Sequence, residues 1–258
     1  MPDAAWFDYR GLRRHADVRA FNVTGEINST LPDMLALQIR RAYYCSVSWT
    51  DSLIGRVLAE LDNLGLSNDT IVSFFSDHGY TLGEHTEWTK QTNFELATHA
   101  PMMISIPGLT DKGIRSEQLT ELVDLFPTLV EAAGLKKLPV CPKNSANVSL
   151  CSEGSSLIPL IRQPLKPIKK ASFSQYPRCG RMGYSMRTDR YRYTEWTKFS
   201  REPDYKAEWG NLCGVELYDH LIDREENYNH AYDDEYKDIR KELSTMLRDG
   251  WRKSIVEK

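Results

Sequence analysis

Between Ser76 and Lys90 the chain reads Ser-Asp-His-Gly-Tyr-Thr-Leu-Gly-Glu-His-Thr-Glu-Trp-Thr-Lys, its densest run of side chains able to do chemistry. Asp77 offers a hard anionic oxygen and His78 a nitrogen lone pair, and Gly79 frees the backbone to turn both onto one cation. Two adjacent ligands do not complete a coordination shell, so further donors have to come from elsewhere in the fold. Glu84, His85 and Glu87 follow closely enough to serve, although a polar loop after a strand more simply solvates itself. Asp77 alone reads equally well as a cap on the next turn. Lys90 is a compact positive charge suited to an oxyanion, or else a solvated surface lysine. His99, in Ala-Thr-His-Ala-Pro, reads as a hydrogen-bonded structural residue.

Such a site needs elements that present it at one rim. Thr70–Ser76 is a continuous apolar, β-branched and aromatic run, which predicts a strand covered on both faces. The Asp77–Lys90 run then leaves its carboxyl end, where open α/β sheets bind ligands. Residues 102–106, bounded by Pro101 and Pro107, predict a second strand. Upstream, Leu35, Ile39, Tyr43, Trp49, Leu53, Val57 and Leu61 recur at helical spacing and predict one long helix from about Asp33 to Leu64. Pro32 precedes it and Gly65 ends it. Asp124–Gly134 predicts a short helix with an acidic start. Residues 1–31 are turn-rich and yield no element.

The Pro-, Ser- and Lys-rich stretch 137–170 marks a boundary, giving expected domains 1–165 and 166–258. Beyond it, 171–196 alternates as short strands with a turn at Asp189-Arg190, and Glu216–Asp219 adds an edge strand. A helix over about 233–254 is expected to bury Tyr236, Ile239, Leu243, Met246, Leu247 and Trp251. The fold class is α/β, followed by a small α+β part with an antiparallel sheet and a terminal helix.

The 258 residues, 41% of them hydrophobic, suffice for a sizeable core. With 33 basic against 36 acidic side chains and no basic stripe along the chain, nucleic acid is not an expected partner. No apolar run approaches the ~18 residues of a membrane span. The five cysteines, Cys45, Cys141, Cys151, Cys179 and Cys213, include no CxxC, which argues against a zinc knuckle. Cys141 and Cys151 bracket a polar loop; they are two unrelated thiols or a disulfide contributing roughly 2–3 kcal/mol through loop entropy. Asn22, Asn28, Asn68 and Asn147 stand in N-x-S/T sequons and favour a secretory route. The first residues lack the charged and apolar regions of a signal peptide. The expectation that reconciles the two is that the chain is the C-terminal part of a longer precursor.

Taken in order, Arg40–Trp49 with Gly55-Arg56, the Ser76–Lys90 run, Asn93–Pro101, Asp124–Leu129, the Cys141/Cys151 pair, Ser174–Arg178, Met182–Thr188, Tyr191–Trp196 and Glu216–Asp219 resemble the sulfatase family. Within it they are similar to the branch that removes 2-O-sulfate from iduronate residues of heparan and dermatan sulfate. The resemblance implies an alkaline-phosphatase-like mixed sheet flanked by helices, incomplete here. It implies one Ca2+ held in part by Asp77 and His78, and it makes Lys90 both a catalytic and a substrate-binding residue, in contact with the sulfate. It further implies a sulfated glycosaminoglycan oligosaccharide as partner and a lysosomal or secreted location. The family's nucleophile is a formylglycine made from the cysteine of a C-x-P/A-S-R motif, and calcium polarises the sulfate oxygens it attacks.

None of the five cysteines stands in that motif, since the residues that follow are Ser-Val-Ser, Pro-Lys-Asn, Ser-Glu-Gly, Gly-Arg-Met and Gly-Val-Glu. The family's aspartate pair is also absent; Asp233-Asp234 reads as helix-start charge. The expectation is half a calcium site and one sulfate-binding lysine without the nucleophile, to be completed by an N-terminal sulfatase fragment. The alternatives are a truncated, non-catalytic fragment or pseudoenzyme, and a phosphodiesterase of the alkaline-phosphatase superfamily, which would favour zinc.

Overall fold

The computed structural model of the chain describes residues 1–178, 180–200 and 205–256. Cys179, whose pairing the sequence leaves open, lies outside the described residues, and Cys45 and Cys213 are free and exposed. Residues 1–31, silent in the sequence, are folded. They form the short helices α1 (Arg10–Arg13) and α2 (Ala16–Arg19). Tyr9, Val18 and Leu31 share a core with Leu35, Leu82 and Trp88, which seats this segment under the hairpin that carries Lys90.

α3 (Asp33–Asn63) starts after Pro32 as expected. At its end Gly65 adopts φ +68, which lets the Leu66 amide reach the Leu61 carbonyl at 3.1 Å and satisfy one of the helix's last acceptors. Of its residues only Leu35 is buried. Leu37, Tyr44, Trp49 and Val57 face solvent, so the apolar stripe legible in the sequence is left open over most of its length.

β1 (Val72–Phe75) follows. Next come the hairpin strands β2 (Thr81–Leu82) and β3 (Trp88–Thr89), then α4 (Glu95–Thr98) and β4 (Met102–Ser105). β1 and β4 pair antiparallel, Phe75 opposite Met102 and Phe74 opposite Met103. The two-sided cover expected for β1 is not found. Val72, Ser73 and Phe74 are only half-buried, Phe75 on one face is 48% exposed, and Met103 on the other is 60% exposed.

α5 (Leu125–Ala132) begins one residue later than expected. Asp124 is not a solvated helix start but fully buried. Its carboxylate accepts the Glu121 and Ser155 amides at 2.8 and 2.7 Å and pairs with the buried Lys169 ammonium at 2.8 Å. Cys141 and Cys151 are joined in a disulfide, so of the two readings the sequence left open the bridge is the one found. α6 (Ile158–Arg162) follows it.

The remaining chain is a four-stranded antiparallel sheet in sequential order, β5 (Ser172–Arg178), β6 (Arg181–Arg187), β7 (Tyr191–Phe199) and β8 (Ala207–Asp219). The turn at Asp189-Arg190 falls where the sequence puts it, whereas β8 runs to 13 residues rather than the expected four-residue edge strand. α7 (Lys237–Asp249) lays Leu243 and Leu247 on Met186, Tyr193 and Leu217. Gly250, at φ +80, ends α7 short of Trp251. The Trp251 indole, expected in the core, is therefore 48% exposed and donates to Glu153 at 3.0 Å.

What ties this sheet to the segment carrying Lys90 is a buried charge cluster. The Arg192 guanidinium donates to Glu226 Oε1 at 2.5 Å, to Glu95 Oε2, and to Thr98 Oγ1 at 2.9 Å. Glu226 also takes the Glu95 amide at 2.7 Å and lies 2.8 Å from the His220 ring. Burial disfavours charge on Glu95 and Glu226. The hydrogen bond from His99 and the Arg192 charge outweigh it at Glu95, and Arg192 with His220 does so at Glu226, so both carboxyls are held below their ordinary pKa. His99 is thus the hydrogen-bonded structural residue the sequence suggested, 3.1 Å from Glu95 Oε1.

Removing one partner of a buried ion pair leaves an uncompensated charge in a poorly solvated place, which costs about 3–5 kcal/mol. Arg192→Met is expected to lose that much in urea denaturation. Arg115→Met, at an exposed pair with Glu117, should stay within about 0.5 kcal/mol of the parent.

Candidate active site

The rim of the site is built by close backbone approach. Beyond β1, the Ser76 amide donates to the Pro101 carbonyl at 3.0 Å, adding one rung to the β1–β4 pair, and the Gly79 amide donates to the Ala97 carbonyl at 2.8 Å. A Cβ on Gly79 would lie 1.9 Å from the Leu96 carbonyl oxygen, so only glycine fits where the loop passes α4. Asp77 and His78 are thereby held at the strand exit, with Ser76 Oγ donating to the His78 carbonyl at 2.7 Å.

The hairpin returns Lys90 to the same point. Thr81 pairs with Thr89 and Leu82 with Trp88. Arg40 on α3 clamps the turn, donating to the Leu82 carbonyl at 2.8 Å with its guanidinium 5.9 Å over the Trp88 ring. Tyr43 stacks on Tyr80 at 4.9 Å. Thr89 takes φ +84, an unfavourable value for a β-branched residue, imposed by ladder bonds on one side and the following turn on the other.

These constraints bring Asp77, His78 and Lys90 together. His78 Nδ1 lies 2.6 Å from the Gly79 carbonyl oxygen, an acceptor, so Nδ1 carries the proton and Nε2 the lone pair. Lys90 Nζ donates to that lone pair at 2.5 Å, and Asp77 Oδ1 lies 3.6 Å from it. Two electron-rich atoms thus face one point at the exposed end of the strand, beside a flexible ammonium. The set suits a hard cation shared with an oxyanion, and by itself supplies two of the six to eight ligands calcium takes.

The other candidate donors are engaged elsewhere. Glu84 accepts the Leu82 amide at 2.5 Å and braces the hairpin. His85 stacks on Phe94 at 4.1 Å, and burial lowers its pKa. Glu87 is buried and accepts the Phe7 amide at 2.9 Å, so it anchors the N-terminal segment. Glu95, His220 and Glu226 converge closely enough to hold a metal ion, a group invisible in the sequence because its members are so far apart in the chain. Arg192 already supplies the cation there. The one sequence signal was an arginine inside the apolar strand Tyr191–Trp196.

A sulfatase profile matches residues 10–135, and one described as N-sulphoglucosamine sulphohydrolase, C-terminal, matches residues 83–253. The chain belongs to the sulfatase family. It is 35% identical over 267 residues to human iduronate 2-sulfatase, an alignment covering 84% of this chain and 48% of that protein. It therefore spans about half the length of that relative. Its structure is similar to that of YidJ, a sulfatase-like protein of Bacteroides fragilis, with TM-score 0.69, 23% identity, and coverage of 96% of this chain and 50% of the other. It is also similar to a protein solved with its substrate D-glucosamine-2-N,6-O-disulfate, with TM-score 0.67, 24% identity, and coverage of 90% and 44%. These two likenesses show the fold, the alkaline-phosphatase-like arrangement expected from the sequence.

Within this sulfatase chain, Glu87 sets a pH dependence. Burial pushes its pKa up to about 8, against the opposing pull of Arg178. The unfolded chain ionises Glu87 near 4.5, so the folded state alone keeps the proton between there and about 8. Stability contributed by the protonated carboxyl is full below about 4.5 and declines as pH rises toward 8, by a few kcal/mol on the scale of about 1.4 per unit. Glu87→Gln is expected to flatten that decline in urea titrations from pH 5 to 8, while Glu216, whose pKa burial also raises, still contributes a decline in the same direction. An unchanged slope would show that Glu87 is ionised in the fold.

Proposed function

We propose that this chain is the sulfate-binding half of a sulfuric ester hydrolase that acts on sulfated glycosaminoglycans, taking 2-O-sulfate from iduronate. The observation that carries the reading is the meeting of Asp77, His78 and Lys90 at one ring nitrogen on a strand exit. Asp77 and His78 would hold Ca2+, which when bound supplies positive charge that polarises the sulfate oxygens. Lys90 places its ammonium on the sulfate and offsets the charge that grows there as the ester bond breaks. The Gly79 carbonyl keeps the His78 proton on Nδ1, so that Nε2 stays available. The likeness to human iduronate 2-sulfatase supports the substrate class.

The reaction also needs a nucleophile. The family's formylglycine does not fit any cysteine here, since none is followed by x-P/A-S-R. Turnover therefore requires an N-terminal sulfatase fragment, which would cover the open apolar faces of α3, Phe75 and Met103. In this reading residues 1–165 complete the catalytic domain and 166–258 form its C-terminal subdomain. The exposed Asn22, Asn28, Asn68 and Asn147 carry N-glycans acquired on the way to a lysosomal or secreted location.

The chain alone should release no sulfate from 4-methylumbelliferyl sulfate and should bind Ca2+ more weakly than micromolar in calorimetry. Co-expression with an N-terminal fragment bearing C-x-P-S-R should restore turnover, and Lys90→Ala should then lower kcat by about 10²–10³. Sulfate release by the chain alone, lost in Lys90→Ala and Asp77→Ala, would overturn the missing-nucleophile reading.

A further inference from the structure

Three residues beyond Lys90, Asn93 is buried, and both ends of its side-chain amide are engaged. Nδ2 donates to the main-chain carbonyl of Gly183 on β6 at 3.2 Å, and Oδ1 accepts from Ser174 Oγ on β5 at 3.2 Å. One side chain thus bridges the segment after Lys90 to two neighbouring strands of the C-terminal sheet. Its anchor on β6 is rigid. A Cβ on Gly183 would lie 2.7 Å from the Trp196 ring, so the β6 backbone passes close over that indole, which in turn donates to Glu216 at 2.6 Å.

Between Lys90 and Asn93 the chain has little slack. The Thr92 amide donates to the Lys90 carbonyl at 2.9 Å and closes a tight turn, and Thr89 Oγ1 donates to Gln91 Oε1. Just beyond, Phe94 is buried and stacks on His85 at 4.1 Å. Thr89, immediately before Lys90, sits at φ +84, a conformation that persists only where its surroundings hold it from both sides. Upstream the restraint comes from Arg40 and Tyr43 on α3. Downstream it comes from Asn93, together with the bond from Arg178 to the Gln91 carbonyl.

We propose that Asn93 is a positioning residue: by bridging β5 and β6 it fixes the turn after Lys90 and so holds the Lys90 ammonium at the His78 ring nitrogen. The inference rests on the sulfate-site reading of Lys90 for its consequence, and on the two amide bonds for its existence. It makes the C-terminal sheet a determinant of where Lys90 stands, through a contact separate from the Arg192 cluster.

The test is the His78 Nε2 resonance of the 15N-histidine-labelled full chain, recorded for the parent, Lys90→Ala, Asn93→Leu and Asn229→Leu, with urea stability measured alongside. Asn229 is the control because its amide makes the same kind of bridge away from the site. It donates to the Val215 carbonyl at 3.0 Å and accepts from the Leu217 amide at 2.9 Å. Both leucine variants are expected to lose stability. Asn93→Leu should move His78 Nε2 in the direction given by Lys90→Ala and leave His230 in place, whereas Asn229→Leu should move its neighbour His230 and leave His78. An unmoved His78 in Asn93→Leu, or an equal movement in Asn229→Leu, overturns the proposal. The control arm with Lys90→Ala separates the two ways of failing. A His78 signal that answers to Lys90→Ala but not to Asn93→Leu removes the positioning role alone, and one indifferent to both removes the Lys90 reading and the proposal with it. If Asn93→Leu does not fold, Ser174→Ala, which removes only the bond to Oδ1, carries the comparison. A smaller shift of the same sign is then expected, and no shift overturns the proposal.

Discussion

A guanidinium shielded from water holds this molecule together. Arg192, on the third strand of the C-terminal sheet, reaches Glu95 on the short helix after Lys90 and Glu226 in the loop beyond β8. The bond from the Glu95 amide to Glu226 closes the circuit. Each carboxylate would be costly in this setting without the shared cation, and the cation costly without both of them. The consequence is positional. α4 is fixed against the sheet, Leu96 and Ala97 on α4 meet Gly79, and Gly79 sets where Asp77 and His78 emerge. The chemistry at the rim depends on an ion cluster that takes no part in it.

A second constraint comes from the first residues of the chain. Phe7 gives its amide to Glu87, Ala5 its carbonyl to Arg178, and Trp196 packs on Ala4 and Ala5. The N-terminal segment is thus wedged between the Lys90 hairpin and the C-terminal sheet. The hairpin pays for this rigidity with backbone strain, since His85, Thr86 and Thr89 all take positive φ. Elsewhere among the described residues, α3 over most of its length and both faces of the β1–β4 pair leave large apolar side chains in solvent, which is unusual for a finished domain surface.

Local features were legible in the sequence, and long-range ones were not. α3 was readable because its apolar residues keep helical spacing between a proline and a glycine that act within one turn of its ends. β1 and β4 were readable as short apolar runs bounded by turn residues. The Asp77, His78 and Lys90 triplet stood out because those residue types crowd within fourteen positions. Residues 1–31 gave nothing, since their order comes from contacts such as Phe7 with Glu87, eighty positions apart, and has no periodicity. Glu87 looked like a ligand because residue type carries no information about burial. Only the last four residues of β8 are legible as a strand, because its first seven, residues 207–213, are half-buried or exposed and lack alternation.

The claim on which the functional account stands is that His78 Nε2 is an unprotonated lone pair that accepts from Lys90 and faces the Asp77 carboxylate at an accessible point. Long-range proton–nitrogen NMR of the 15N-histidine-labelled chain measures this directly. The account predicts a His78 ring protonated at Nδ1 near neutral pH, with an Nε2 resonance that moves when Ca2+ and sulfate are added together and moves differently in Lys90→Ala. A His78 protonated at Nε2, or an Nε2 signal indifferent to both additions and to the loss of Lys90, would contradict it.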